Sequence, residues 1–286
     1  MFNFVGMRWA QKDGNPPRTF GAKKPPGESG VEVLRARFQS AAHFSATSNQ
    51  HLVFFQMSPR VRIECRIAGR TLRHEVDAGS LAICPAGVDC SAETDSSIDV
   101  LVIGIAPEKL ALAAAEQSAL DARLNERMSG CDENLLGIAR LLASESANGY
   151  PNGPPLWNEA TRRFIGQMVS GHSSVSETPP RGRLSRAVLQ KISDHILAHL
   201  AEPIEVDDLA ALAGRSAFHF SRVFARSVGM TPHRYVVHLR LQAALRHIRA
   251  RRMGLAEIAA DTGFADQSHL SRWIRRVHGV APSELD

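Results

Sequence analysis

The chain has no apolar run near the roughly 20 residues that a membrane-crossing helix needs. Its four cysteines, Cys65, Cys84, Cys90 and Cys131, include no C-x-x-C pair, and its histidines include no H-x-H pair. At its start, the apolar stretch from Met1 to Val5 is too short for an export signal. These absences speak against a membrane span, a secreted disulfide scaffold and a tightly spaced metal site. Free or buried thiols in a reducing compartment are expected, which places the protein in the cytoplasm. What is present is ordinary globular material. The 286 residues are 44% hydrophobic and 22% charged, enough for two domains with real cores.

Positive charge is unevenly placed. Residues 181–286 hold 16 Lys and Arg against 10 Asp and Glu, whereas residues 1–180 hold 18 against 19. Of those 16 basic residues 15 are arginine, the side chain suited to bidentate contact with phosphate and guanine. A basic surface alone says little. The same half, however, carries an internal repeat: His219-Phe220-Ser221-Arg222 returns as His269-Leu270-Ser271-Arg272. The match extends from Leu209-Ala210-Ala211 and Gly214 to Ile258-Ala259-Ala260 and Gly263. Downstream, Gly229-Met230-Thr231-Pro232 parallels Gly279-Val280-Ala281-Pro282.

The pattern changes along the chain. Residues 1–30, rich in Gly, Pro and Lys, are expected to be disordered. From 31 to 106, short extended runs (31–34, 52–55, 61–65, 81–84 and 98–103) alternate with turn clusters, predicting an antiparallel sandwich or barrel. Helical periodicity follows over 107–172, with a proline-rich break at 150–155. The polar, proline-bearing stretch 173–183 is the expected linker. Beyond it, Leu184, Val188, Ile192, Ile196 and Leu200 recur every fourth residue on one helix. A first helix-turn-helix is expected at about 206–228, with Ser216 as N-cap and Gly229 as stop. A long helix spans about 232–250, and a second motif covers about 255–278, with Asp266 as N-cap.

On helices of this register, Phe220, Val223, Phe224 and Val228 share one face and Phe218, Ser221, Arg222 and Ala225 the other. In the second copy Leu270, Trp273, Ile274 and Val277 point inward, and Gln267, Ser268, Ser271, Arg272 and Arg275 outward. A recognition helix needs this division, one face anchored and one free to donate into the major groove. Arg222 and Arg272 can each reach guanine O6 and N7, Gln267 an adenine edge, and Phe218 a thymine methyl. A single exposed arginine is ordinarily a solvated charge; its repetition at matching positions argues for a base contact. Arg226, Arg275 and Arg276, further along, suit phosphates. His219 and His269 read better as packed or backbone-bonded side chains.

Residues 184–283 resemble the DNA-binding domain of the AraC/XylS family of bacterial transcription regulators. The resemblance rests on Ser216-x-x-His219-Phe220-Ser221-Arg222-x-Phe224, Gly229-x-Thr231-Pro232 and Arg240-Leu241-x-x-Ala244. In the second copy it rests on Gly263-Phe264-x-Asp266-Gln267-Ser268-His269-Leu270-Ser271-Arg272 and Gly279-x-x-Pro282-Ser283. It implies two motifs whose recognition helices enter successive major-groove turns, about 34 Å apart on one DNA face. Carried over by position, its base-contacting places fall on Phe218, Ser221, Arg222, Gln267, Ser268 and Arg272. The chain departs from the pattern at Ile274, at Ala225, which removes one phosphate contact, and at its last residues. Residues 31–106 resemble, by layout, the cupin-like sensor barrels of the family, most closely at 77–87.

The expected fold is therefore α+β in two domains: an antiparallel, cupin-like β-barrel (31–106) with following helices (107–172), and an all-α double helix-turn-helix domain (184–286). The expected function is a sequence-specific transcriptional regulator, an activator by resemblance, that binds promoter DNA, answers to a small-molecule effector and meets RNA polymerase. The helices of 107–172 are expected to pair two chains. No catalytic residue, metal or cofactor is expected, since His43, His51 and His74 are scattered, and no effector-binding residue is assigned. Two alternatives remain: a cupin-type metal-dependent isomerase or dioxygenase with an accessory helical domain, and an architectural DNA-binding protein without a sensor.

Overall fold

The computed structural model describes residues 7–20, 24–117, 119, 122–175 and 182–285. The chain divides into two compact units, one built from residues up to Leu110 with Arg123–Ser174, the other from Ala111–Ala122 with Val175 onward. The division is thus not a single cut within 173–183, and residues 176–181 of that expected linker lie outside the described ones.

The first unit begins with ten strands: β1 (Met7–Gln11), β2 (Arg18–Phe20), β3 (Val31–Phe38), β4 (Ala42–Thr47), β5 (His51–Gln56), β6 (Val61–Ile67), β7 (Arg70–Val76), β8 (Leu81–Cys84), β9 (Asp89–Thr94) and β10 (Ile98–Ile105). They form two five-stranded antiparallel sheets, ordered β1-β4-β9-β6-β7 and β2-β3-β10-β5-β8. The inner faces pack through Ala46, Ile67 and Cys90 of one sheet and Leu34, Leu52 and Val102 of the other. This corrects the expected barrel to a sandwich of two open sheets. One physical reason lies at β8, whose outer edge is already taken. Leu81 and Ile83 donate their N–H groups to the carbonyls of Gly130 and Arg127, at 2.8 and 2.7 Å, so that edge is covered by a loop rather than by the opposite sheet.

The expected disorder of 1–30 is likewise corrected over Met7–Gln11 and Arg18–Phe20, which pair with β4 and β3. Ladder hydrogen bonds and the packing of Trp9 on Phe38 and Phe44, with ring centroids 5.6 and 5.1 Å apart, offset the ordering entropy that composition alone suggested was unopposed. Residues 1–6 and 21–23 of that segment lie outside the described residues.

Helices α1 (Pro107–Glu116), α2 (Glu133–Ala147) and α3 (Gly153–His172) follow the strands. Asp132 caps α2 by accepting the Leu135 N–H at 2.9 Å. The proline-rich break runs into the first turn of α3, where Pro154 and Pro155 sit and a missing N–H has no helical partner to lose. Leu135, Leu142, Trp157, Phe164 and Met168 are fully buried, and Phe164 meets Phe55 of β5 edge-on at 6.4 Å. The pair α2–α3 therefore covers the outer face of the second sheet. Two short strands, β11 (Ala122–Leu124) and β12 (Ser173–Val175), pair with each other.

The second unit holds α4 (Arg186–Ala198), α5 (Val206–Leu212), α6 (Ala217–Val228), α7 (Pro232–Ala250), α8 (Leu255–Asp261) and α9 (Gln267–His278), closed by a 3-10 turn at Pro282–Glu284. It has two cores. Leu189, Ile192 and Ile196 of α4 pack with Leu209, Phe220, Phe224 and Tyr235. Ile258, Phe264, Leu270 and Ile274 pack with Leu241 and Ala244. Helix α7 serves both, giving Val236 and Leu239 to the first core and Val237 and Leu245 to the second. Burying a phenylalanine such as Phe220 contributes roughly 1.5–3 kcal/mol, so each core anchors its own motif.

Candidate nucleic-acid interface

Each motif is a short helix, a turn through a left-handed glycine, and a longer helix. The turns pass through Gly214 and Gly263, at φ of +61° and +74°. The longer helices α6 and α9 end alike, with the Gly229 and Gly279 N–H groups each donating at 2.9 Å to Ala225 and Arg275 carbonyls. Inside the first motif, the buried Ser227 hydroxyl donates to Val223 O and accepts the Leu184 N–H, both at 2.8 Å. It thereby ties the chain entering α4 to α6.

The inward faces are buried as amphipathicity requires: Phe220, Val223, Phe224 and Val228 in α6, and Leu270 and Ile274 in α9. Trp273 and Val277 are half-buried. On the outward faces Arg222, Gln267, Ser268 and Arg272 are exposed and Ser221 is half-exposed. Phe218 is 76% exposed, an arrangement water disfavours for so large an apolar ring. The Arg222 guanidinium lies 5.9 Å from the centre of that ring, so the two side chains share one patch. Arg226, Arg275 and Arg276 are also exposed, with Arg276 lying 5.2 Å from the Trp273 ring.

His269 is packed, as its setting beside apolar residues suggested. Its ring stands edge-on to Phe264 at 5.5 Å, and its Nε2 accepts the Trp273 Nε1–H at 3.0 Å. His219 differs: it is exposed, with Arg215 Nη1 3.4 Å from its ring. Arg215 itself was missed, because a turn arginine has no partner in the repeat to single it out. It is exposed in the turn just ahead of α6.

In the first unit, His43 stands on β4, His51 on β5 and His74 on β7, so the fold does not bring the three together on adjacent strands. Burial pushes His51 down to about 4, and its Nδ1 accepts the Ala86 N–H at 3.0 Å. Among the described residues, Cys65, Cys84 and Cys90 are buried free thiols and Cys131 is an exposed one. Burial pushes the Cys65 thiol up to about 11. Between the two sheets lies an apolar cavity of about 100 Å³, walled by Trp9, Phe44, Phe54, Cys65 and Met128. No helix among the described residues is long and apolar enough to cross a membrane.

A family model described as "Helix-turn-helix domain" matches residues 209–286, from α5 to the end of the chain. The C-terminal region is an AraC-type helix-turn-helix domain. Relatives of this AraC-type domain are named as regulators. The chain is 25% identical over 249 residues to the HTH-type transcriptional regulator GbdR of Pseudomonas aeruginosa, covering 84% of this chain and 62% of GbdR. It is 33% identical over 101 residues to the probable transcriptional regulator LumQ of Photobacterium leiognathi, covering 35% of this chain and 41% of LumQ. The chain thus spans less than two thirds of either relative. A crystal structure of a transcriptional regulator with an AraC-type DNA-binding domain, from Chromobacterium violaceum, is 26% identical. It covers 35% of this chain and 89% of its own, with a TM-score of 0.33.

Proposed function

We propose that the protein is a sequence-specific transcriptional regulator that binds promoter DNA through α6 and α9. The observation that carries this reading is the matched pair of amphipathic helices. Each buries an apolar face in its own core and exposes an arginine, Arg222 or Arg272, at the same place in the repeat. Phe218, Ser221 and Arg222 read one stretch of bases, and Gln267, Ser268 and Arg272 another. Arg226, Arg275 and Arg276 hold phosphates. The first unit takes up a small-molecule effector, two chains pair through 107–172, and the bound protein activates by meeting RNA polymerase. The regulator acts on DNA in the cytoplasm, on the nucleoid, and is not an enzyme.

Selection of preferred sites from random double-stranded DNA by the full chain tests this. The expected outcome is an asymmetric site with two read segments about one helical turn apart. Enrichment of no sequence would overturn the reading, and uniform, salt-sensitive binding would replace it with an architectural role.

A further inference from the structure

The outer face of the sheet β2-β3-β10-β5-β8 carries more positive charge than the fold needs. Val33, Arg35 and Arg37 alternate along β3 and so share one face. Across the ladder, Phe20 of β2 and Leu101 of β10 flank Arg35, while Arg18 and Asp99 flank Arg37. Among the described residues of these two cross-strand rows, Asp99, 6% exposed, is the only acid. Arg35 binds it in a fork, with Nε and Nη2 each at 2.9 Å. Arg37 reaches one of its oxygens with Nε at 3.0 Å and Nη2 at 2.8 Å. Burial raises the Asp99 pKa, but the two guanidiniums more than offset this and hold the carboxyl below its ordinary range. Asp99 is therefore a carboxylate with both oxygens satisfied, and it neutralises one of the two arginines.

Helix α2 lies over this face and turns Arg140, Ala143, Ser144 and Ala147 toward it, three or four residues apart. Between helix and sheet is a cavity of about 520 Å³. Its walls are apolar at Phe20, Val33, Met57 and Leu101, and three arginines, Arg35, Arg37 and Arg140, stand in it. The Nη1 groups of Arg35 and Arg37 take no part in the Asp99 bonds, and Arg140 is exposed. A site of this size falls in the range of roughly 300–1,000 Å³ that small-molecule pockets occupy. The apolar cavity between the sheets, at about 100 Å³, is smaller than the roughly 150 Å³ that admits a benzene ring.

We infer that the groove between α2 and the outer face of this sheet binds an amphipathic organic carboxylate. Its anionic head lies on Arg140 and the free edges of Arg35 and Arg37, and its apolar body lies along Phe20, Val33 and Met57. The planar guanidinium forks match a carboxylate, and the surplus of two positive charges over Asp99 favours an anion. Binding itself is independent of the DNA reading; only its use as the effector site rests on that reading.

The probe is octanoate, titrated calorimetrically against the full chain, with octanamide as its uncharged counterpart. Octanoate is expected to bind saturably and octanamide about tenfold more weakly, the loss of a charge-assisted hydrogen bond. Arg140→Gln, a surface change checked for an unaltered melting temperature, is expected to weaken octanoate about tenfold. Ala143→Phe, which fills the groove from α2, is expected to abolish binding. Absence of saturable octanoate binding would overturn the inference. So would equal binding of octanamide, or octanoate binding unchanged in both variants. A protein that binds octanoate but selects no DNA sinks the regulator reading and leaves this site standing; the opposite result does the reverse.

Discussion

Gly214 and Gly263 hold equivalent places in the two helix-turn-helix motifs and share a left-handed backbone, yet their surroundings differ. A methyl group added at Gly214 would meet nothing within 4 Å. At Gly263 it would fall 2.0 Å from the Leu200 carbonyl oxygen and 2.8 Å from the Arg240 guanidinium. Arg240, on α7, in turn donates to the Glu202 carbonyl at 2.7 Å. The second turn is thus pressed against the loop after α4, which belongs to the first motif's side of the domain, while the first turn faces open space. Their N-caps differ too. Ser216 makes no side-chain cap bond, whereas Asp266 accepts the His269 N–H at 2.7 Å. One motif relies on a core enlarged by α4, the other on a cap and a close backbone approach.

The comparison is broken most severely at the glycines. Gly263→Ala is expected to cost about 4 kcal/mol or more, because backbone must move, and Gly214→Ala only the left-handed penalty of about 1–2 kcal/mol. Urea unfolding of the two variants measures the difference; equal costs would mean that the close approach at Gly263 is not formed.

Arg222→Ala and Arg272→Ala should each lose about 1–3 kcal/mol of discrimination at one base pair, at positions about one helical turn apart. Site selection with each variant checks this, and loss at the same position in both would merge the two readers into one.

A smaller effect separates the caps. The backbone hydrogen bond from His269, aided by Ser268 and the Arg272 charge, holds the Asp266 carboxyl below its ordinary range. A depressed carboxylate stabilises above its unfolded pKa and loses that contribution as pH falls through the folded value. Asp266→Ala should therefore lower the melting temperature at pH 7, with the gap to the parent narrowing below about pH 4. Ser216→Ala should change it little at either pH. The smallest stability change belongs to Phe218→Ala, within about 0.5 kcal/mol, since the ring is already exposed. Its DNA preference should nonetheless shift at one position, as read by the same selection.

The helical half was legible because its signals are local. Glycines at the turns and helix ends, Ser216, Thr231 and Asp266 before helices, and apolar residues three and four apart each act within one or two turns of chain. The strands were less so. β7, Arg-Thr-Leu-Arg-His-Glu-Val, has no clean alternation and exists because β6 supplies its ladder from across a turn. β1 and β2 sit in a Gly, Pro and Lys-rich stretch, and only partners more than a dozen residues away make them strands. Of the outward residues, the repeat singled out Arg222 and Arg272, while Arg215 became visible only once its exposure and its neighbour His219 were in view.

Residues 184–283 determined by themselves that this region would be two helix-turn-helix motifs with unlike outward faces, since caps, turns and helical period are properties of neighbouring residues. Only the tertiary structure decided that the sandwich stays open, that Gly263 admits no side chain, and that Arg35 and Arg37 share Asp99 beside a cavity that Arg140 also lines. Those outcomes depend on which distant backbone and charge come to lie opposite each residue, and no local pattern carries that information.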